Sequence, residues 1–282
     1  MSNPVPLTPD EVTAILRYWR QGDCALKGDL GFVHRFSLSC PLTAQAKAVE
    51  DSDVDLVEDA VIGFSVVTQT CDLVRDSESR PYVEVVPLVA VDEADLQLIR
   101  KGQQPSFAYV PGVAARSLVA DLGRVMTVEK SVVAGWDRVP GCTDDQQIHN
   151  FQFAVVRKRR RFAFPDDFTE CAGRLQGRLK GKHGKGSAEG DALRALDEIR
   201  VRAEPNWDAA AVSLFFWFVR SVDQEDINGS EWATHCEKWL KLVKRSGRFV
   251  QVEGVVSTLM DMTAQDYVDS VPLDLDQLSL SQ

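Results

Sequence analysis

The residues best placed to do chemistry follow an apolar run. AVIGFSVV (60–67) is almost uninterrupted and ends in Thr68-Gln69-Thr70-Cys71-Asp72. Polar groups that close a buried strand commonly face a site at the rim of a fold. Thr68, Gln69 and Thr70 are therefore candidate binding residues. Cys71 with Asp72 could be a nucleophile and its neighbour, although a thiol needs a base or a positive environment to ionise, and no histidine is near in sequence. A second reading packs Cys71 inside the strand end and uses Asp72 to cap the turn that follows.

Arg157-Lys158-Arg159-Arg160-Arg161 is the next candidate. HNFQFAVVRKRRRFAF (149–164) reads as a strand, which would turn Arg157, Arg159 and Arg161 to one face. Three guanidiniums in a row suit phosphate; with Arg178, Lys180, Lys182 and Lys185 they would form a phosphate-binding surface. They could equally neutralise acidic regions on either side. GKHGKGS (181–187) does not satisfy the phosphate-loop spacing G-x-x-x-x-G-K-[ST], so no nucleotide cofactor is expected. No cofactor or metal site is indicated: the six cysteines form no C-x-x-C and the four histidines no H-x-x-x-H. Glu50, Asp51, Asp53, Asp55, Glu58 and Asp59 read as a solvated loop, because clustered carboxylates repel without a cation or basic partner. His235 and Cys236 would project about 100° apart on a helix and would not share an ion.

The 282 residues carry a formal net charge of −10. Residues 151–190 hold 10 basic and 4 acidic side chains, a basic band inside an acidic chain. The overall sign opposes loose nucleic-acid binding, whereas the band permits a local phosphate contact. A hydrophobic content of 44% with 26% charged residues excludes a wholly disordered chain, a collagen-like repeat and a coiled-coil rod. No stretch approaches the roughly 18 uncharged apolar residues of a membrane span, and the first residues have no basic and apolar leader pattern. A cytoplasmic location is expected, with mostly buried thiols.

Elements must position these groups. Thr8-Pro9-Asp10-Glu11 is a capping box opening a helix with Val12, Ile15, Leu16 and Trp19. Strands are expected over 24–26, 31–38, 60–69, 80–88, 107–111, 117–124, 125–133 and 149–164, with a short helix over 93–101. Short strands separated by turn signals suggest a small barrel. Residues 173–190, with six glycines and five basic residues, read as a flexible or helical connector. A helix over 191–201, a buried strand over 212–219, a helix capped by Ser230 and a strand over 248–259 suggest a smaller α/β domain. An acidic, extended tail (268–282) follows. The expected fold class is α+β, with domains over 1–164 and 165–282.

Three segments carry a resemblance. Gly22-Asp23 opens the first strand; VIGFSVVTQTCDL is followed by PYVEVVPL; and SLVADLGRVMTVEKSVV sets Asp121, Arg124, Thr127, Val128 and Lys130 in order. Over roughly residues 20–135 the chain resembles the MazF/PemK-type toxin barrel, an SH3-like fold. The resemblance implies RNA or a nearby-encoded protein as partner, a homodimer, and a role in a bacterial toxin–antitoxin or phage-defence system. That family's cleavage chemistry is credited to an arginine before the second strand and a threonine after the third. Here those places read Glu58-Asp59-Ala60 and Leu88-Val89-Ala90. Losing a phosphate clamp costs several kcal/mol of transition-state stabilisation, about 3–4 for one oxyanion donor. A non-catalytic binding module is therefore expected. The alternatives are an active endoribonuclease using other residues (Cys71, Asp72, Arg75, Arg80 or the 157–161 run) and a structural scaffold unrelated to RNA.

Overall fold

The computed structural model describes residues 7–49, 55–102, 104–160, 162–220, 226–227, 229–245 and 247–273. It divides into two compact units, Met1–Arg161 and Phe162–Gln282. The fold is mixed α+β, with a curled antiparallel half-barrel sheet in the first unit and a second sheet in the other.

In the first unit, α1 (Pro9–Leu16) begins at the expected capping box. Thr8 N donates to Glu11 Oε2 at 2.8 Å and Glu11 N donates to Thr8 Oγ1 at 3.3 Å. Val12 and Leu16 are turned inward. β1 (Cys24–Arg35) replaces the two strands expected over 24–38: the chain stays extended through a register shift between Leu26 and Leu30. Beyond α2 (Ala44–Lys47), β2 (Leu56–Val66) pairs antiparallel with β1. Glu58 and Asp59 thus belong to a strand and not to a loop; Glu50, Asp51 and Asp53 lie outside the described residues. After α3 (Thr70–Leu73) come β3 (Tyr82–Ala90), α4 (Glu93–Arg100), β4 (Phe107–Tyr109), α5 (Pro111–Ala114), β5 (Leu118–Asp121) and β6 (Met126–Glu129). The strand expected over 125–133 stops at Glu129, and α6 (Lys130–Ala134) takes the remainder. β7 (Arg138–Val139) closes the other edge on β1.

The sheet order is β4-β5-β3-β2-β1-β7, with β6 also on β3. β3 is the hub. Tyr82 to Val85 pair with β6, Val85 to Pro87 with β2, and Leu88 to Ala90 with β5. Its alternation buries both faces. Val83 and Val85 join Val12, Leu16, Phe64 and Val133; Val86 and Leu88 join Cys24, Val113, Phe151 and Val155.

α7 (Asp145–Arg159) overturns the strand expected over 149–164. Apolar residues at 151, 153 and 155 mimic a period of two. Asp144 instead caps a helix by accepting from Gln147 N at 2.8 Å. Phe151 and Val155, four residues apart, enter the core, while Phe153 between them is 70% exposed. The basic residues fall in the last turn, where they complement the carbonyl end of the helix dipole.

Gly22-Asp23 pins β1. Asp23 is buried and its carboxylate accepts from Arg20 N (2.7 Å), Arg138 Nε (2.6 Å) and Gly141 N (3.2 Å). Gly22 has φ +89°, and a Cβ at Gly141 would fall on the Gly22 carbonyl oxygen. Backbone touches backbone here, which only glycine permits.

The second unit begins with α8 (Asp166–His183) and α9 (Ala188–Arg194). Of the two readings of 173–190, the helical one is met over 173–183 and 188–190, but the segment packs in the core and is not a connector: Leu175 and Leu179 are buried. The helix expected over 191–201 is met only over 191–194, the end of α9; from Leu196 the chain is β8 (Leu196–Glu204), with Ile199, Val201 and Ala203 alternating inward. β9 (Val212–Arg220), β10 (Asp226–Ile227), β11 (Ser230–Glu231), α10 (Trp232–Leu240), β12 (Phe249–Ser257), α11 (Ala264–Asp269) and β13 (Val271–Pro272) follow. The cap of α10 is Glu231, one residue past the expected Ser230. The sheet order is β12-β9-β8-β13, with β12 parallel to β9. Of the tail read as extended, Val268 and Asp269 end α11 and residues 274–282 lie outside the description. Phe168, Phe216, Phe218, Trp239 and Phe249 fill this core. Among the described residues, no helix is long and apolar enough to cross a membrane.

Candidate functional site

A cleft of about 1330 Å³ opens in the first unit between the end of β2, α3, the start of β3 and the C-terminal half of α7. Thr68, Gln69, Thr70, Cys71, Asp72, Arg80 and Arg159, all singled out in the sequence, line it. Arg160, part of the basic run, also lines it, whereas sequence reasoning missed Gln21, Tyr82, Glu84, Gln152 and Val156. Tyr82 and Glu84 did leave a signal: Tyr-Val-Glu-Val alternates, and Val83 and Val85 are the buried members. Gln152 and Val156 become visible once α7 is read as a helix, because 152, 155, 156, 159 and 160 share a helical face. Gln21 carries no sequence signal.

Backbone needs explain why the rim holds its shape. Thr68 Oγ1 accepts from Glu84 N at 2.6 Å, continuing the β2–β3 pairing beyond its last strand residue. Thr70 Oγ1 accepts from Gln21 N at 3.1 Å, and Gln21 Nε2 donates to Val67 O at 2.7 Å. Gln21 Oε1 is buried without a hydrogen-bond partner. Lys130, buried at the start of α6, donates from Nζ to Asp72 O (3.0 Å) and Arg75 O (2.7 Å). One ammonium thus ties down the carbonyls of the 70–75 turn. Burial lowers the Lys130 pKa, opposed by the Asp72 and Asp76 carboxylates.

The cleft's electrostatics come from Arg80, Arg159 and Arg160 against Asp72 and Glu84. Arg159 Nη2 pairs with Glu84 Oε2 at 2.5 Å, both side chains being about half-exposed. Tyr82 is 64% exposed on the wall. Cys71 is exposed, which overturns its placement inside the strand end. Its Sγ donates to Gln69 Oε1 at 3.6 Å, and no histidine is among the lining residues. A thiol without a neighbouring base is a weak nucleophile. Among the buried thiols, desolvation pushes Cys24 up to about 12 and Cys171 and Cys236 up to about 11.

Other candidates fall elsewhere. Arg75 is paired with Asp72 at 3.6 Å and does not line the cleft. Arg157 donates from Nη1 to Gly102 O, and Lys158 Nζ reaches Ser106 Oγ at 3.3 Å. Helical geometry therefore separates Arg157 from Arg159, against the single strand face expected for them. Arg161 lies outside the described residues. In the other unit, Arg178 is committed to Glu189, with Nη2 to Oε2 at 2.6 Å. In the segment 117–133, Asp121 and Arg124 close a turn (Nε to Oδ2, 2.7 Å), and Lys130 holds the rim as described.

No family model matches the chain, and no curated protein is significantly similar to it.

Proposed function

We propose that the first unit is a non-catalytic module that binds single-stranded RNA in this cleft. The observation that supports it is the convergence of Arg80, Arg159 and Arg160 with the exposed ring of Tyr82 around one groove. Guanidiniums neutralise phosphates, and an exposed ring gives a base a face on which to stack. The resemblance of the ordered segments over roughly residues 20–135 to the MazF/PemK-type barrel favours RNA over other polyanions. By the same resemblance, the module would serve a bacterial toxin–antitoxin or phage-defence system in the cytoplasm, pairing as a homodimer. Cleavage is not part of the reading: Cys71 has no base beside it, and the phosphate-clamping arginine and the threonine of that family have no counterpart at their positions.

Fluorescence anisotropy with a labelled, mixed-sequence RNA tests this, alongside a denaturing gel. The wild type should bind and leave the RNA intact. Arg159→Gln with Arg160→Gln should weaken binding and reduce the slope of log K against log salt by about 1.4, at roughly 0.7 per lost phosphate contact on a single strand. An unchanged slope removes the arginines from the site; discrete cleavage products would favour the endoribonuclease reading.

A further inference from the structure

We propose that Phe153 of α7 is a second stacking platform, so that the RNA path leaves the cleft and continues along the outer face of that helix. The inference rests on the RNA reading above and extends it. Phe153 is 70% exposed and Val156, next on the same stripe, is 50% exposed, whereas Phe151 is buried at 1%. Val156 and Arg160 also line the cleft. Seven residues separate Phe153 from Arg160. On an α-helix that is two turns less about 20°, with a rise of roughly 10.5 Å. The ring therefore stands directly along the helix from a cleft arginine, with Val156 between them.

The arrangement alternates aromatic and cationic groups: Tyr82 with Arg80 on one wall of the cleft, Arg160 on the other, and Phe153 beyond it on the outer face of α7. Such alternation suits a chain in which flat bases alternate with phosphates. The protruding ring on a convex helix suits a base laid on its face better than a protein anchor, which is enclosed at the centre of a packed interface. An acidic or purely apolar partner surface would not use both the rings and the three arginines.

The test measures the full-length protein binding 5′-labelled oligouridines of 4 to 12 nucleotides by anisotropy, oligouridine being free of stable self-structure. For the wild type, affinity should rise with length until the strand covers both rings. Phe153→Ala should leave the shortest oligomer unaffected, weaken the longest by roughly ten-fold, and bring the plateau to a shorter length. Phe153→Tyr should restore the wild-type profile and Phe153→Leu should not. If Phe153→Ala matches the wild type at every length, or if Phe153→Leu restores the profile, the platform is refuted while the cleft reading stands. If the wild type binds no oligomer at any length, both readings fall and a protein partner becomes the occupant to seek.

Discussion

Lys130 in the first unit and Glu189 in the second are buried charges of opposite sign with opposite kinds of partner. Lys130 gives its protons to two backbone carbonyls of a turn that borders the cleft. Glu189 is surrounded by side chains: Arg178 Nε and Nη2 at 3.0 and 2.6 Å, Lys238 Nζ at 3.0 Å and Trp239 Nε1 at 3.3 Å. Those partners come from α8 and α10, so the carboxylate braces two helices to α9. Burial alone would raise the Glu189 pKa, yet Arg178 and Lys238 bring it down to about 2. Burial lowers that of Lys130, because neutral carbonyls and more distant carboxylates compensate it less fully. A buried charge answered by charges holds elements together, and one answered by carbonyls shapes a loop. The first should matter to stability, the second to binding.

The largest effect that would sharpen this contrast is expected at Glu189. Glu189→Ala strips the shared acceptor from α8 and α10 and should destabilise the second unit by roughly 3 kcal/mol, the upper end for hydrogen bonds to a charged group, because the partly exposed Arg178 and Lys238 can be rehydrated. The indole N–H resonance of Trp239, followed through urea denaturation, reads it, and RNA affinity should not change. The same brace sets a pH dependence. The folded carboxyl titrates at about 2 against a reference of 4.5, so the unfolded chain takes up protons first as pH falls. This contribution is intact above pH 4.5 and disappears towards pH 2; in Glu189→Gln that part of the acid dependence should be absent.

A smaller effect of a different kind is expected at Lys130. Lys130→Met orphans the two carbonyls, at about 1–3 kcal/mol for a buried group. It should also loosen the 70–75 turn and weaken RNA binding by about ten-fold. Equal affinity at lowered stability would erase the distinction between the two charges. Smallest is Glu84→Gln. Glu84 pairs with Arg159 and would compete for it with the proposed RNA, and half-exposed pairs are worth about 0–1 kcal/mol. Removing the charge should tighten RNA binding by no more than about five-fold; weaker binding would mean that Glu84 itself holds the ligand.

Legibility in the sequence followed the range of the forces involved. Thr8 and Glu11 announce α1 because a capping box is local, and β2, β3, β9 and β12 are written in apolar runs or in apolar–polar alternation. The segments 149–164 and 191–201 misled for one reason: in both, few apolar residues separate a period of two from a period near 3.6. Phe151 and Val155 fit either period, and the Asp144 cap decided the matter. In the second segment Leu193, Leu196 and Ile199 suggest a helix, but Ile199, Val201 and Ala203 have a sheet to pair with. Of the candidate site, the strand-end residues 68–72 were legible as a polar stop after an apolar run. Arg159 was singled out for a strand face that does not exist. Lys130 belonged to a recognisable segment, but its partners are carbonyls 55 and 58 residues away, and carbonyls have no sequence identity.

The knot around Asp23 bears on how the first unit is made. Its carboxylate waits for donors at Arg138 and Gly141, 115 and 118 residues further along. The cleft wall on α7 lies further still, at residues 152–160. Contacts this distant in sequence are paid for in loop entropy and form late. A chain growing from its N-terminus can form the β1–β2 hairpin long before it can complete the groove. The half-made unit therefore has the 68–72 turn but neither Phe153 nor the arginines of α7, so the groove is complete only once α7 has been made, while the whole second unit is still to follow.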